Sequence, residues 1–321
     1  MKTFDYTENI PTLKLSDFTN GDSLKKEAFV QDLGQIYSEI GFVAITGHGF
    51  EKEEQNKLYR AVQAFFELPD AIKQKYDGSS TGGQRGYTGK GKEHAAGRSV
   101  GDLKEFYHVG KHIEGHSEGH YQPNIFPQEV PAFEEYTLKT YAKLEEVGKV
   151  MLSAIALYLE LDEHHFEDKV NRGISILRPI HYFPLEEGKQ PQGAVRAAEH
   201  GDINLITLLM GASAEGLQVK RRDDQWIPVQ PDIEALVVNV GDMLERYTNG
   251  RLRSTIHRVV NPPVEKMRTS RYSIPFFMHA NPEMSLNCLP TCVSSEHPKQ
   301  FEDTTAEAFL MERLRAIGLI K

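Results

Sequence analysis

The second half of this chain is divided into short apolar segments that are rich in β-branched residues and separated by Gly, Pro, Asn and Asp. Six such segments follow one another along the chain, at residues 174–183, 205–209, 216–220, 235–240, 255–260 and 271–278. Short strands at this spacing, with turn residues between them, are typical of an antiparallel sandwich or a jelly roll. The pattern therefore predicts that this half of the chain forms a β core.

The rest of the chain has mainly helical periodicity. Apolar residues recur on one helical face over residues 22–40, 58–69 and 132–159, and a closing helix is expected over 304–318. Between the first two helices, residues 42–46 form a short apolar run that indicates a buried strand. The order of helices, β core and final helix predicts an α+β protein.

The length of 321 residues is enough for a substantial core. We predict two regions within one compact globular unit. Residues 1–115 form a mainly helical N-terminal region, and residues 116–321 contain the long helix, the jelly-roll core and the C-terminal helix. No internal repeat or long linker argues for a larger number of units.

Charge and hydropathy exclude several classes of partner. With 46 acidic and 37 basic residues the formal net charge is −9, which disfavours a nucleic acid as partner because phosphate binding needs a basic face. The mean hydropathy is −0.47, and no apolar run approaches the ~20 residues of a membrane span. A monomer is compatible with this charge and length.

The cysteine count bears on the compartment. The sequence contains only Cys288 and Cys292, so a disulfide scaffold is excluded and no second cysteine pair completes a zinc site. The N-terminal residues lack the basic and then apolar layout of a secretory signal. We therefore expect a cytoplasmic protein.

Three residues in the predicted β core have the chemistry of a metal site. His200 and Asp202 are two positions apart, so in an extended chain their side chains point to the same side. A His-x-Asp pair alone is expected about once by chance in a chain with 13 histidines. His257, in the β segment STIHRVV, supplies a second imidazole. Two imidazoles and one carboxylate that leave open positions are typical of non-haem Fe(II) oxygenases.

A second set of residues fits an organic acid. Arg271 and Ser273, again two positions apart in a predicted strand, present a guanidinium and a hydroxyl on one face, which suits a carboxylate. Tyr182, at the end of another predicted strand, could donate a phenolic hydrogen bond to the same anion. An open metal site beside a carboxylate receptor is the arrangement that a chelating 2-oxo acid requires.

At this point the sequence resembles the isopenicillin N synthase-like family of Fe(II)/2-oxoglutarate-dependent dioxygenases over nearly its whole length. Nine motifs carry the resemblance in order: IGFVAITGHGF (40–50), FFELPDAIKQKY (65–76), RGYTG (85–89), DLKEFYHVG (102–110), EHGDINLITLL (199–209), EGLQV (215–219), VVNVGDMLERYTNG (237–250), STIHRVV (254–260) and RYSIPFF (271–277). The resemblance implies a distorted double-stranded β-helix wrapped by N-terminal and C-terminal helices.

The resemblance also implies an activity and its residues. Fe(II) would be held by His200, Asp202 and His257, and 2-oxoglutarate by Arg271, Ser273 and Tyr182, in motifs that match position by position. With O2 as the other cosubstrate, such an enzyme hydroxylates a C–H bond of a small molecule and releases succinate and CO2. The sequence does not identify that molecule.

Three alternatives remain open at this stage. Many relatives have an asparagine at the position of Ile180, and an Arg-x-Ser pair fixes a carboxylate without showing whose it is. A 2-oxo-acid-independent iron oxidase that closes a ring, as isopenicillin N synthase does, is therefore the first alternative. A non-catalytic jelly-roll binding module and a protein hydroxylase are the others.

The glycine-rich segment 78–101 is predicted to be a functional or mobile loop, because it is too long for a simple turn. Its Arg85, Tyr87 and Arg98 are candidates for contact with the substrate, and a substrate that carries a carboxylate would fit them. His112, His116 and His120 have helical spacing that could suggest a second metal site. The glycines between them make a helix poor, so a solvated loop is the better interpretation.

Overall fold

The computed structural model describes residues 3–93, 100–113, 119–210, 215–230, 232 and 234–316. Its α-helices are α1 Leu15–Thr19, α2 Ser23–Glu39, α3 Lys52–Phe66, α4 Asp70–Lys73, α5 Pro131–Tyr158, α6 Glu167–Val170, α7 Asp242–Tyr247 and α8 Ala306–Ala316. Its strands are β1 Thr12–Lys14, β2 Phe42–Thr46, β3 Gly86–Thr88, β4 Glu105–Gly110, β5 Ile176–Leu177, β6 Ile180–Tyr182, β7 Ala197–His200, β8 Ile206–Met210, β9 Leu217–Lys220, β10 Trp226–Pro228, β11 Leu236–Val240, β12 His257–Val259 and β13 Arg271–Met278.

The helix α2 begins and ends where local chemistry predicts. The Asp22 carboxylate accepts a hydrogen bond from the Lys25 N–H at 2.9 Å and so caps the first turn. At the other end the Gly41 N–H bonds to the Ile36 carbonyl with φ +70°. A Cβ atom at Gly41 would lie 2.1 Å from the Arg253 carbonyl oxygen, so this turn requires glycine.

Two sheets form the β core. Within the described residues, nine strands join one sheet in the order β1-β2-β11-β8-β13-β5-β4-β3, with β6 paired to β13 and β4, and four strands form the second sheet in the order β10-β9-β12-β7. All pairings are antiparallel except β1 with β2. Residues of both sheets line one cavity. This architecture confirms the predicted α+β fold with a distorted double-stranded β-helix.

The long helix α5 packs across the larger sheet. It contacts β8 and β13 on one side and helices α2 and α3 on the other. Gly148 permits the close approach, because a Cβ atom there would meet the Met278 sulfur at 2.4 Å. The N-terminal region shares this core, since β2 pairs with β11 of the larger sheet. The boundary at residues 115–116 stays a prediction.

The glycine-rich segment is more ordered than the sequence predicts. Gly78–Thr81 forms a 3₁₀ turn, and β3 is buried and pairs antiparallel with β4. A three-residue strand has no periodicity to reveal it, whereas tertiary pairing and burial stabilise it. Residues 94–99 of the segment lie outside the described part of the chain. Among the described residues, no helix combines the length and the apolar character that a bilayer span needs.

Candidate metal centre and the surrounding cavity

The structure brings His200, Asp202 and His257 together. His200 ends β7, His257 begins β12, and the two are directly opposite one another in the antiparallel pair. One potential ligand atom from each of the three residues lies within 4.8 Å of those of the other two. The His257 Nε2 and Asp202 Oδ1 atoms are 3.7 Å apart. Among the described residues this is the one such group of three found.

Backbone carbonyls orient the two imidazoles. His200 Nδ1 lies 2.7 Å from the Ala198 carbonyl, and His257 Nδ1 lies 3.1 Å from the Thr255 carbonyl. With Nδ1–H donating to the carbonyl, each Nε2 keeps its lone pair for a metal. The same i to i−2 contact thus fixes both rings in the tautomer that a metal site needs.

Two polar side chains that sequence reasoning missed hold the carboxylate. Asp202 Oδ2 accepts hydrogen bonds from Thr207 Oγ1 at 2.7 Å and from Asn239 Nδ2 at 2.8 Å. Both donors are buried in strands that are otherwise apolar, β8 and β11. A single polar residue inside an apolar strand was the available signal. These bonds orient Asp202 so that Oδ1 faces His257.

Burial and neighbouring charges set the protonation of the group. Burial, reinforced by the nearby His257, lowers the pKa of His200 to about 4. Burial alone would raise the pKa of Asp202, but the two imidazoles and the Asn239 and Thr207 hydrogen bonds outweigh it and lower the pKa. A neutral imidazole and an ionised carboxylate are therefore present at neutral pH. Imidazole nitrogens with one carboxylate oxygen fit Fe(II).

The candidate carboxylate receptor lines the same cavity, whose volume is about 340 Å³. Arg271 and Ser273 on β13 are opposite Tyr182 and Ile180 on β6. The Arg271 guanidinium carbon lies 4.8 Å from the centre of the Tyr182 ring, and all four residues are buried. A guanidinium, a hydroxyl and a phenol therefore border the cavity together with the His-Asp-His group, and Ile180 adds an apolar surface beside them.

The structure does not bring Arg85 or Tyr87 to the cavity wall. The buried Arg85 guanidinium donates to the backbone carbonyls of residues 84, 111, 120 and 122, the best of them at 2.8 Å. The Tyr87 hydroxyl donates to the Glu105 carboxylate. These contacts replace the expected substrate contacts, because both polar groups are engaged within the protein. Arg98 lies outside the described residues.

The Arg85→Met variant is expected to be less stable by about 3 kcal/mol, because several carbonyls lose their donor. Arg85 also lies directly over Gly110, where a Cβ atom would meet the guanidinium carbon at 1.9 Å. Chemical denaturation measures the loss. A clear increase in the KM for the organic substrate at unchanged stability would instead support the predicted contact between Arg85 and the substrate.

The alternative second metal site finds no support. His120 Nε2 lies 2.8 Å from the Glu307 carboxylate on α8, which explains this histidine without a metal. His116 lies outside the described residues, and His112 belongs to no group of potential ligands among the described ones.

Comparison with known families agrees with this geometry. Residues 10–129 match the model of the N-terminal domain described as non-haem dioxygenase in morphine synthesis, and residues 175–280 match that of the 2OG-Fe(II) oxygenase superfamily. The chain belongs to the 2OG-Fe(II) oxygenase superfamily. It is therefore a 2-oxoglutarate-dependent dioxygenase, an oxidoreductase that uses Fe(II) and 2-oxoglutarate.

Individual relatives cover nearly the full length. The 2-oxoglutarate-Fe(II) type oxidoreductase hxnY of Emericella nidulans is 33% identical over 92% of this chain and 87% of its own. The structure of a 2OG-Fe(II) oxygenase family protein from Caulobacter crescentus is 40% identical, with a TM-score of 0.86 over 97% of this chain and all of the other. T7H of Neurospora crassa, solved with alpha-KG and thymine, is 28% identical, with a TM-score of 0.86 over 98% of both chains.

Proposed function

We propose that this dioxygenase hydroxylates a C–H bond of a small molecule, with Fe(II) held by His200, Asp202 and His257. The observation that carries the proposal is the convergence of these three side chains beside the buried Arg271 in one cavity. In this family the bound Fe(II) and 2-oxoglutarate supply the oxidising chemistry, with O2 consumed and succinate and CO2 released.

The chain itself binds, orients and excludes water. Arg271, Ser273 and Tyr182 receive the distal carboxylate of 2-oxoglutarate, with the guanidinium providing the charge and the two hydroxyls the additional hydrogen bonds. Apolar side chains of both sheets, such as Leu209 of the larger and Val259 of the smaller, line the rest of the cavity and keep bulk water away.

The size of the cavity supports a small molecule as the substrate. The cavity of about 340 Å³ must hold both 2-oxoglutarate and the molecule to be oxidised, so the latter is small. T7H of Neurospora crassa has been solved with thymine and with 5-formyluracil, which are small ring compounds. A protein substrate would need an open docking surface next to this cavity.

Two further properties, the location and the oligomeric state, are also proposed. Cys288 and Cys292 are both free thiols, which is compatible with a reducing cytoplasmic location. A monomer is proposed because the two sheets and the helices complete the cavity within one chain. Fractionation of the source cells and sedimentation of the purified protein test these two points.

The function is tested by anaerobic titration of the protein with Fe(II) and 2-oxoglutarate, followed by exposure to O2. We expect the visible charge-transfer absorption of the chelate, and succinate formation that depends on both additions. A small-molecule library read by succinate release above the uncoupled background then identifies the substrate. Absence of both the absorption and the succinate would overturn the proposal and leave the 2-oxo-acid-independent oxidase or the binding module.

The Asn239→Leu variant is expected to weaken Fe(II) binding by about 10–100-fold, because Asp202 loses one of the two donors that orient it. Leucine is branched at Cγ like asparagine and carries no polar group, so the apolar strand should still form. Metal titration under anaerobic conditions measures the effect. Unchanged metal affinity in a folded variant would show that the Asn239 hydrogen bond does not position the carboxylate.

A further inference from the structure

A second polar group lines the same cavity and has no part in the proposed metal or 2-oxoglutarate sites. Lys104 Nζ lies 2.8 Å from Glu93 Oε1 and 2.9 Å from Asp102 Oδ2, and Arg178 Nη1 lies 3.3 Å from Glu93 Oε2. All four of these residues border the cavity, and Glu93, Asp102 and Lys104 are more than nine-tenths buried. We call Glu93, Asp102, Lys104 and Arg178 the charged quartet.

The charged quartet is electrically balanced. Lys104 and Arg178 supply two positive charges, and Glu93 and Asp102 supply two negative ones. The neighbouring cations hold the pKa of Glu93 far below its usual range, although burial alone would raise it. Apart from Asp202 and Arg271 of the proposed metal and 2-oxoglutarate sites, the other charged groups on the wall are Glu199 and Arg313. They have partners in Arg258 and Asp242, each at 3.2 Å.

At the other end of the cavity, the charges of the lining residues are balanced as well once the proposed ligands are bound. The buried guanidinium of Arg196 is not part of this lining, although its central carbon lies 5.9 Å from the centre of the Tyr182 ring. The two charges of Fe(II) and the charge of Arg271 match the carboxylate of Asp202 and the two carboxylates of 2-oxoglutarate. Beside the charged quartet, a substrate with a net charge would therefore find no uncompensated opposite charge among the groups that line the cavity, and its burial there would be costly. The site thus favours an uncharged substrate, and the carboxylate-bearing substrate suggested by the sequence is not retained.

Arg178 is held rigidly within the quartet. Its guanidinium carbon lies 4.5 Å from the centre of the Phe106 ring and 4.9 Å from that of Phe277. Its Nε donates to Nε2 of His108, and His108 Nδ1 contacts the Gly83 carbonyl. Burial and the nearby guanidinium of Arg178 lower the pKa of His108, so the ring is a neutral acceptor. A fixed guanidinium is suited to recognition by directed hydrogen bonds.

Polar atoms of this rigid group remain for a ligand. The contacts of Arg178 with the described residues use Nε and Nη1, which leaves the N–H groups of Nη2 as donors. Glu93 Oε2 is buried and has no hydrogen bond among the described residues, although it is in ion-pair distance of Arg178. His279 Nδ1, also buried on the cavity wall, likewise has no hydrogen bond there. A donor next to an acceptor matches the complementary pair of a carbonyl and an N–H.

We propose that the primary substrate is an uncharged molecule with an amide edge, such as a lactam or a cyclic imide, bound by its carbonyl to Arg178 and by its N–H to Glu93. The inference rests on the proposed function and names the substrate class of that same cavity. A site built to pair an N–H and a carbonyl rejects analogues that lack them, because its buried polar groups then stay unpaired.

The test uses three ring compounds of similar size with the enzyme loaded with Fe(II) and 2-oxoglutarate in the absence of O2. The probes are 2-piperidone, N-methyl-2-piperidone and cyclohexanecarboxylate, and binding is read by calorimetry and by the change in the charge-transfer absorption. We expect 2-piperidone to bind about tenfold more tightly than either of the others. Preference for another probe, or no discrimination, would overturn the assignment.

Variants test the residues. Glu93→Gln removes one negative charge from the quartet, so cyclohexanecarboxylate should gain about tenfold in affinity relative to 2-piperidone. Glu135→Gln is the matched control, since Glu135 forms an exposed helical ion pair with Lys139 and should leave the order of probes unchanged. An unchanged ratio of the two affinities in folded Glu93→Gln would exclude Glu93 as a recognition residue.

The two proposals fail in different ways. If the charge-transfer absorption with Fe(II) and 2-oxoglutarate is missing, the proposed function fails before any probe is added. If the absorption is present and cyclohexanecarboxylate is preferred, only the amide-edge inference fails. The probe series with the unaltered protein decides this point even if the Glu93→Gln variant does not fold.

Discussion

The His257→Ala variant is expected to lose iron-dependent succinate formation by about 100-fold or more while the chain still folds. Groups that only orient a metal ligand typically change affinity or activity by about 10–100-fold, so loss of the ligand itself has the larger effect. The fold should persist because His257 contributes its backbone to the pairing of β12 with β7 and β9, and alanine keeps that backbone.

The measurements are bound iron per chain under anaerobic conditions, the rate of succinate formation and the melting temperature without metal. His48→Ala is a matched control, because His48 is also buried but contacts the Glu234 carbonyl and does not line the cavity. This control should keep its iron. Full iron binding and turnover in His257→Ala would show that the ligand assignment is wrong.

The fold could be predicted to the extent that it depends on local pattern. The apolar face of residues 22–40, with Asp22 before it and Gly41 after it, reproduces α2 almost to the residue, because caps and periodicity act within the segment itself. The six β segments are confirmed for the same reason. The strands β1, β3, β4, β7 and β10 were not foreseen. β1 and β3 have only three residues each and are stabilised by a distant partner.

The candidate site was predictable where its spacing follows the two-residue repeat of a strand. His200 with Asp202, and Arg271 with Ser273, could be paired on that basis. His257 was chosen as a second imidazole in a predicted strand, and no spacing rule places it next to the other two. The direction in which a long side chain points is not encoded locally. Arg85 was therefore predicted to contact the substrate. In the structure its guanidinium lies over Gly110 and donates hydrogen bonds to backbone carbonyls instead.

The charged quartet could not be predicted from the sequence for a different reason. Glu93, Lys104 and Arg178 come from three separate segments, and no spacing rule connects them. Each looks like an ordinary surface charge in the sequence. Their burial and mutual pairing arise only when β4 and the β5–β6 turn form the cavity wall.

The Arg271→Met variant is expected to raise the KM for 2-oxoglutarate by about 100-fold or more. Removal of one partner from a buried pair of opposite charges costs about 2–5 kcal/mol, and 1.4 kcal/mol corresponds to a factor of ten. Methionine fills much of the same space against the Tyr182 ring, so β13 should keep its place between β6 and β8. Steady-state kinetics with varied 2-oxoglutarate measure the change.

Two comparisons make this prediction specific. Arg271→Lys keeps the charge without the planar fork and should fall between the wild type and Arg271→Met. The apolar cosubstrate 4-methyl-2-oxopentanoate should gain relative to 2-oxoglutarate in Arg271→Met, because it has no distal carboxylate to be left unpaired. If the KM for 2-oxoglutarate stays unchanged while that of the organic substrate rises, Arg271 holds the substrate's own acid group. The charge balance of the cavity would then also change, since the substrate's carboxylate and not that of 2-oxoglutarate would lie beside Arg271.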